Sequence, residues 1–279
     1  MIDCYMIEQT HSQVSLALRL TDDFTATGQP VGKISVFVKD HSFKAIKTSS
    51  GYYVFSDLPA DVYRVMIQAE YYFDQEQEID TGALELLHPV VNMTLSPNPG
   101  YPFPEGATLI RGMVFDQTEA GLPGVSAAAS IFQPEPEVTA RIGSPAPEAG
   151  DMSIRLINIK GSLQTGDYLV IKDANRSRTE FCQIATPLPA NNSNPFNLTK
   201  PLKFKHSSNT PLNRVAVNDS VNTQTSEKGE YVIYFRTIKS DRFLTELTFN
   251  HPDYQTERRE AEVCEGTLTV FGAIKLSPV

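Results

Sequence analysis

The run Gly51-Tyr52-Tyr53-Val54-Phe55-Ser56-Asp57-Leu58-Pro59, followed by Tyr63-Arg64-Val65-Met66-Ile67, constrains the fold more than any other stretch. Side chains of an extended chain alternate between two faces. Tyr53 and Phe55 therefore share one face of a first strand, and Tyr63, Val65 and Ile67 share one face of a second. With Leu58-Pro59 turning the chain between them, the pattern predicts a β-hairpin with one buried side.

The same alternation surrounds it. Val14, Leu16, Leu18 and Leu20 form one run, Ile34, Val36 and Val38 another, and Val90 to Leu95 a last strand. Turn residues separate these runs at Thr27-Gly28-Gln29-Pro30 and Thr48-Ser49-Ser50-Gly51. Ser96-Pro97-Asn98-Pro99-Gly100, extended by Tyr101-Pro102-Phe103-Pro104, reads as a stiff linker. Beyond it the pattern restarts. Leu109 to Asp116 followed by Gly121-Leu122-Pro123-Gly124 matches Leu16 to Asp22 followed by Gly28-Gln29-Pro30, the mark of an internal repeat. The counterpart of the hairpin arrives much later, as Gly229-Glu230-Tyr231-Val232-Ile233-Tyr234-Phe235 and Phe243 to Phe249.

An inserted segment therefore divides the second copy. It opens with Pro134-Glu135-Pro136, carries further Pro at Ser144-Pro145-Ala146-Pro147, and holds its own strand candidates at Tyr168 to Ile171, Phe181 to Ile184 and Leu202 to Phe204. No stretch sustains a helical apolar period. The expected fold is all-β: two antiparallel β-sandwiches plus an inserted small β barrel or sandwich. The expected divisions are a first sandwich at 1–97, a Pro-rich linker at 98–106, a second sandwich at 107–132 and 219–279, and the insert at 133–218.

Composition excludes several functions. At 279 residues the chain has room for more than one core. A net charge of -9 with scattered basic residues disfavours nucleic acid as a partner. No apolar run reaches the ~20 residues of a membrane helix. Met1-Ile2-Asp3-Cys4-Tyr5 shows no signal-peptide pattern, so cytoplasmic synthesis and assembly are expected, including within a particle released later. The Asn-x-Ser/Thr sequons at Asn92, Asn175, Asn191, Asn197 and Asn218 then read as polar loop composition. Cys4, Cys182 and Cys264 are too dispersed for a zinc site or disulfide scaffold and read as reduced thiols.

Chemistry is sparse. His11, His41, His88, His206 and His251 lack a partner at metal-ligand spacing. Gly28 to Lys33 is one residue short of a phosphate loop, and Pro30 removes an N–H that a phosphate would need. Asp22-Asp23 and Glu135 with Glu137 read as turn carboxylates rather than acid/base pairs. Asp74, Glu76, Glu78 and Asp80 place a carboxylate at every second residue, which suits a calcium surface or, more simply, a solvated face that blunts edge pairing. No cofactor, catalytic residue or metal ligand is expected. Tyr72, Tyr101 and Phe103 are the candidate binding surface, for a sugar or a protein partner; the alternative buries Tyr71 and Phe73 at the sandwich end with Tyr72 beneath the linker.

Pro30, Gly51, Tyr53, Phe55, Leu58, Pro59, Tyr63 and Val65 together resemble the carboxypeptidase regulatory-like domain, whose pattern is G-x-Y-x-F-x-x-L-P-x-G-x-Y-x-V. Asp61 stands at the family's second Gly, a position Asp tolerates if the backbone is left-handed. The second copy keeps Pro123, Gly229 and Tyr231 but not the Leu-Pro turn. The resemblance implies a transthyretin-like (prealbumin-like) sandwich, used as an appendage, spacer, carbohydrate-binding-like or assembly module, without peptidase activity. The insert's strand order is faintly similar to small β domains of phage-tail-type proteins. The expected function is a non-enzymatic structural or assembly adaptor working through protein–protein contacts, with a phage-tail-like or contractile injection particle as a setting that would suit it. The alternative is a carbohydrate-binding or adhesive module. A hydrolase would require a His and an acid to converge from separate domains.

Overall fold

The computed structural model describes residues 12–26, 28–185, 195–236 and 241–279; Cys4, His11 and the Asn191 sequon lie outside these. The chain divides into two compact units, Met1–Phe103 and Pro104–Val279. Regular structure among the described residues is β apart from 3-10 turns at Thr81–Ala83 and Arg176–Arg178.

The first unit contains β1 (Val14–Asp22), β2 (Ile34–Val38), β3 (Ile46–Lys47), β4 (Tyr52–Ser56), β5 (Val62–Ala69), β6 (Gln75–Asp80) and β7 (Val90–Leu95). One sheet runs β3-β4-β1-β7, with β1 and β7 parallel, and the other runs β2-β5-β6. Leu16, Leu18, Val36, Val38, Tyr53, Phe55, Tyr63, Val65 and Ile67 form one buried cluster. The alternation thus buries the expected faces, but the hairpin does not exist. β4 pairs with β1 and β3, while β5 pairs with β2 and β6. The Leu58-Pro59 connection crosses between sheets. A period of two shows which side of a strand is buried, not which neighbour completes its ladder.

The crossing is held locally. Its left-handed residue is Asp57, φ 60°, rather than the expected Asp61. The Asp57 carboxylate accepts from Ser12 Oγ and the Gln13 N–H, and Leu58 fills the sandwich end at 8 % exposure. The Pro59 carbonyl accepts from both Tyr63 Oη and Thr81 Oγ1 at 3.1 Å. The 98–103 part of the expected linker also belongs to this core: Tyr101 is buried in it and Phe103 packs against it.

The second unit contains β8 (Thr108–Phe115), β9 (Ser126–Ile142), β10 (Ser153–Ile154), β11 (Leu156–Lys160), β12 (Tyr168–Ile171), β13 (Glu180–Gln183), β14 (Phe196–Asn197), β15 (Pro211–Gln224), β16 (Glu230–Phe235), β17 (Arg242–His251), β18 (Tyr254–Cys264), β19 (Leu268–Val270) and β20 (Ile274–Lys275). β16 and β8 pair antiparallel, with β19 and β20 parallel to β8. A seven-stranded sheet runs β13-β12-β15-β9-β17-β18, with β11 also on β9. Two cores result. One contains Ile110, Ile131, Tyr231, Leu247 and Phe249; the other contains Ile142, Ile154, Leu169, Ile184, Phe196 and Leu212.

The chain passes between these cores inside strands. The first half of β9 pairs with β17 and the end of β15, and its second half pairs with β11 and the start of β15. Gln133 and Asn218, at the expected ends of the insert, meet within this ribbon, Asn218 Nδ2 donating to Gln133 Oε1 at 2.9 Å. Pro134 and Pro136 therefore do not open a loop. The ladder jumps from Asn213↔Thr139 to Val215↔Pro134, and the interruption spares the prolines a donor they lack. Arg214 occupies it, bonded to Glu135 and reaching Asp167 at 3.5 Å.

Candidate functional site

The aromatic residues expected to form a surface face inward. Tyr72 is 1 % exposed and Tyr101 6 %, and they sit with ring centroids 5.5 Å apart; Phe103 packs 4.6 Å from Tyr101. Tyr101 Oη donates to Asp22 Oδ2 at 2.6 Å, while Asp22 Oδ1 accepts the Phe24 N–H at 2.8 Å. Tyr72 Oη accepts from the Val31 N–H at 3.0 Å. Burial pushes the Tyr72 phenol up to about 12 against the lowering effect of the Val31 bond, with the Asp22 charge adding to the rise. Burial and the bond to Asp22 raise Tyr101 as well. Tyr72 and Tyr101 are thus an internal pin and offer no ring to a sugar, while Phe103 is half-buried against them. Tyr71 and Phe73 are the half-exposed pair, because Tyr72 turns inward at an isolated bridge with Pro97.

The acidic series on β6 is spoken for residue by residue. Glu76 pairs with Lys39 at 2.8 Å and Arg64 at 3.8 Å, and Glu78 with Arg64 at 3.8 Å. Asp80 caps the turn at Gly82, and Asp74 accepts from the Ala69 N–H. Among the described residues no group of His, Cys, Asp and Glu is arranged to hold a metal ion.

His206 is the histidine with organised chemistry around it. Its ring is fully buried, with Nδ1 2.9 Å from Asp173 Oδ2 and Nε2 2.7 Å from Glu180 Oε1. Glu180 also accepts the N–H groups of Lys203 and Phe204. Burial disfavours the charged ring, but bonds to Glu180 and Asp173 outweigh it and raise the His206 pKa. An imidazole facing acceptors on both nitrogens donates from both only as the imidazolium. Both ring nitrogens are thus engaged, which favours the imidazolium and leaves no free nitrogen for base catalysis. Cys182, nearby on β13, points into the core that holds Ile142 and Leu169, where burial pushes its thiol up to about 12 and suppresses thiolate. The sequence held a signal for this cluster: Glu180 shares a strand face with the buried Cys182 and Ile184, and a carboxylate on an apolar face needs a partner.

A concavity of about 760 Å³ lies within the second unit. One wall is the outer face of β17 and β18, where Leu244 lies opposite Glu262 and Glu246 opposite Glu260. The other is Tyr168 on β12, Phe181 on β13 and the 199–203 segment. Tyr168 Oη bonds Glu260, whose other oxygen accepts from Lys200 Nζ at 2.7 Å. Lys203 bonds Glu262, and Arg242 reaches the same carboxylate at 3.5 Å. Arg258 lies 3.6 Å from Glu246. Burial raises the Glu260 carboxyl, but the Lys200 and Tyr168 bonds prevail and leave it below the ordinary range. This cleft was not legible in the sequence, since its walls come from segments far apart in the chain. The walls carry both signs of charge, with apolar side chains between them.

No family model matches the chain, and no curated protein does. Among solved structures it is similar to a streptococcal ancillary pilin, at 11% identity and a TM-score of 0.24 over 96% of this chain and 70% of that one. It is similar to the shaft pilin spaA from Lactobacillus rhamnosus GG, at 10% identity and a TM-score of 0.23 over 96% and 98%. A third is the Bacillus anthracis TIE protein, at 12% identity and a TM-score of 0.23 over 95% and 51%. At such scores the likeness is to a β-rich architecture and goes no further.

Proposed function

We propose that the chain is a non-enzymatic structural module that works through contacts with other proteins in a larger assembly. The observation that carries this is the β9–β15 ribbon. Strands of 17 and 14 residues run through two hydrophobic cores, so the second unit is one stiff body rather than domains on a tether. At the usual rise per residue, β9 alone spans about 55 Å. We also infer that both units derive from one transthyretin-like sandwich. In the first, β1 pairs antiparallel with β4 and parallel with β7; in the second, β8 pairs antiparallel with β16 and parallel with β19. A phage-tail-like or contractile particle is not part of the proposal, since neither the fold nor the similar structures point to one.

Size-exclusion chromatography with light scattering, on native lysate and on the purified chain, tests the assembly role. The expected result is a native complex well above the 30.9 kDa of the chain. A 30.9 kDa species in both, with no cross-linked partner, argues against it. An adhesive role is the second reading, favoured by the cleft on the second unit.

A further inference from the structure

We propose that the cleft between β17–β18 and the insert binds a short, neutral oligosaccharide. The inference rests on the adhesive reading and relocates it from the buried aromatic residues of the first unit to this site. Charge balance is the first argument. Lys200, Lys203 and Arg258 are matched by Glu260, Glu262 and Glu246. A ligand of one sign meets a like charge beside each group it would pair with. A neutral polyol can donate to the carboxylates and accept from the cations with each pair intact.

The surface between those charges is the second argument. Leu244 is buried beneath the cleft, and the half-buried rings of Tyr168 and Phe181 face it. Aromatic faces carry partial negative charge and suit the C–H face of a pyranose. The cleft volume lies within the usual range for small-ligand sites, which combine apolar walls with a few convergent polar groups.

The third argument separates a sugar from an extended peptide. Peptides that lie along sheets use an open strand edge for main-chain bonds. Here the end of the β13 edge is already occupied: Thr199 N–H donates to the Gln183 carbonyl at 3.0 Å and Ala185 N–H to the Asn197 carbonyl at 2.9 Å. On the other wall β18 ends its sheet, but what it and β17 present to the cleft is side chains from the sheet face.

The test is an array of neutral oligosaccharides (maltotriose, cellotriose, mannotriose and chitotriose) and acidic ones (sialyllactose and hyaluronan fragments), probed with the full chain. At least one neutral glycan should be retained, with affinity falling about tenfold or more in Phe181→Ala and in Glu246→Gln. Tyr72→Phe, remote in sequence and buried in the first unit, should bind as the parent does. Circular dichroism checks folding; if Phe181→Ala is misfolded, Glu246→Gln, half-buried on the cleft wall, decides. Absence of neutral glycan binding, retention of acidic glycans alone, or unchanged binding in the folded variants overturns the proposal. None of these outcomes alters the mass of a native complex, so the assembly reading stands or falls separately.

Discussion

The Tyr101 hydroxyl donates to Asp22 Oδ2 at 2.6 Å, joining the end of β1 to a segment 79 residues away. The carboxylate is 1 % exposed, so losing a donor leaves buried charge short of a partner. Tyr101→Phe keeps the ring and removes only that donor. It should cost about 2 kcal/mol, as bonds to charged groups do, measured as a lower urea midpoint for the first unit. A change under about 0.5 kcal/mol, the range of neutral surface substitutions, would show that the pin does not hold the segment.

His206 predicts a pH dependence with a definite sign. Its folded pKa is raised above an unfolded value of about 6.5. Folding therefore takes up a proton between the two values, and the stabilisation is complete below about pH 6.5 and lost as pH rises through the folded pKa. Asp173, lowered because its bonds to His206 and the Asn175 N–H outweigh desolvation, acts oppositely and loses its contribution only in acid. Urea midpoints should fall on the alkaline side in the parent and be flatter there in His206→Gln. Equal slopes in the two proteins would remove His206 from the account.

Strand positions were legible because burial follows period two: Leu16, Leu18, Tyr53, Phe55, Val65 and Ile67 all lie in the first core. Strand partners were not. β4 and β5 have the same pattern whether paired side by side or facing across a core, and the choice is made by β1 and β2, far away in sequence. Pro134 and Pro136 mark an interruption in a ladder rather than the loop expected there, because an interrupted ladder accommodates proline as well as a loop does. Tyr101 was misjudged for a related reason. Its Pro-rich surroundings resemble a linker, and the Asp22 that draws it inward lies outside any local window.

The shared strands, rather than the charged contacts, should couple the two cores of the second unit. Lys200 is 74% exposed and Lys203 59%, and exposed pairs contribute at most about 1 kcal/mol. Glu260→Gln combined with Glu262→Gln should therefore change stability little. Leu212→Ala, on β15 in the core that holds Ile142 and Leu169, should cost about 2 to 5 kcal/mol. In hydrogen exchange at moderate urea it should speed exchange in β17 as well as β12. Exchange raised in β12 alone would show the cores to be uncoupled.

Tyr231 and Gly112 are paired across β16 and β8. Tyr231 Oη is buried with no hydrogen-bond partner among the described residues, and a Cβ at Gly112 would stand 2.5 Å from it. A buried hydroxyl without a partner keeps its desolvation cost, so Tyr231→Phe should stabilise the second unit by about 1 kcal/mol. Gly112→Ala should destabilise it by about 1 to 3 kcal/mol, the usual cost of overpacking. The double variant should recover only part of that loss, because Tyr231 Cζ lies 2.8 Å from the same Cβ position and the phenyl ring keeps that atom. Thermal unfolding of the four proteins measures the cycle. A lower Tm in Tyr231→Phe would mean that the hydroxyl has found a partner, and a fully additive cycle would mean that the two positions do not touch.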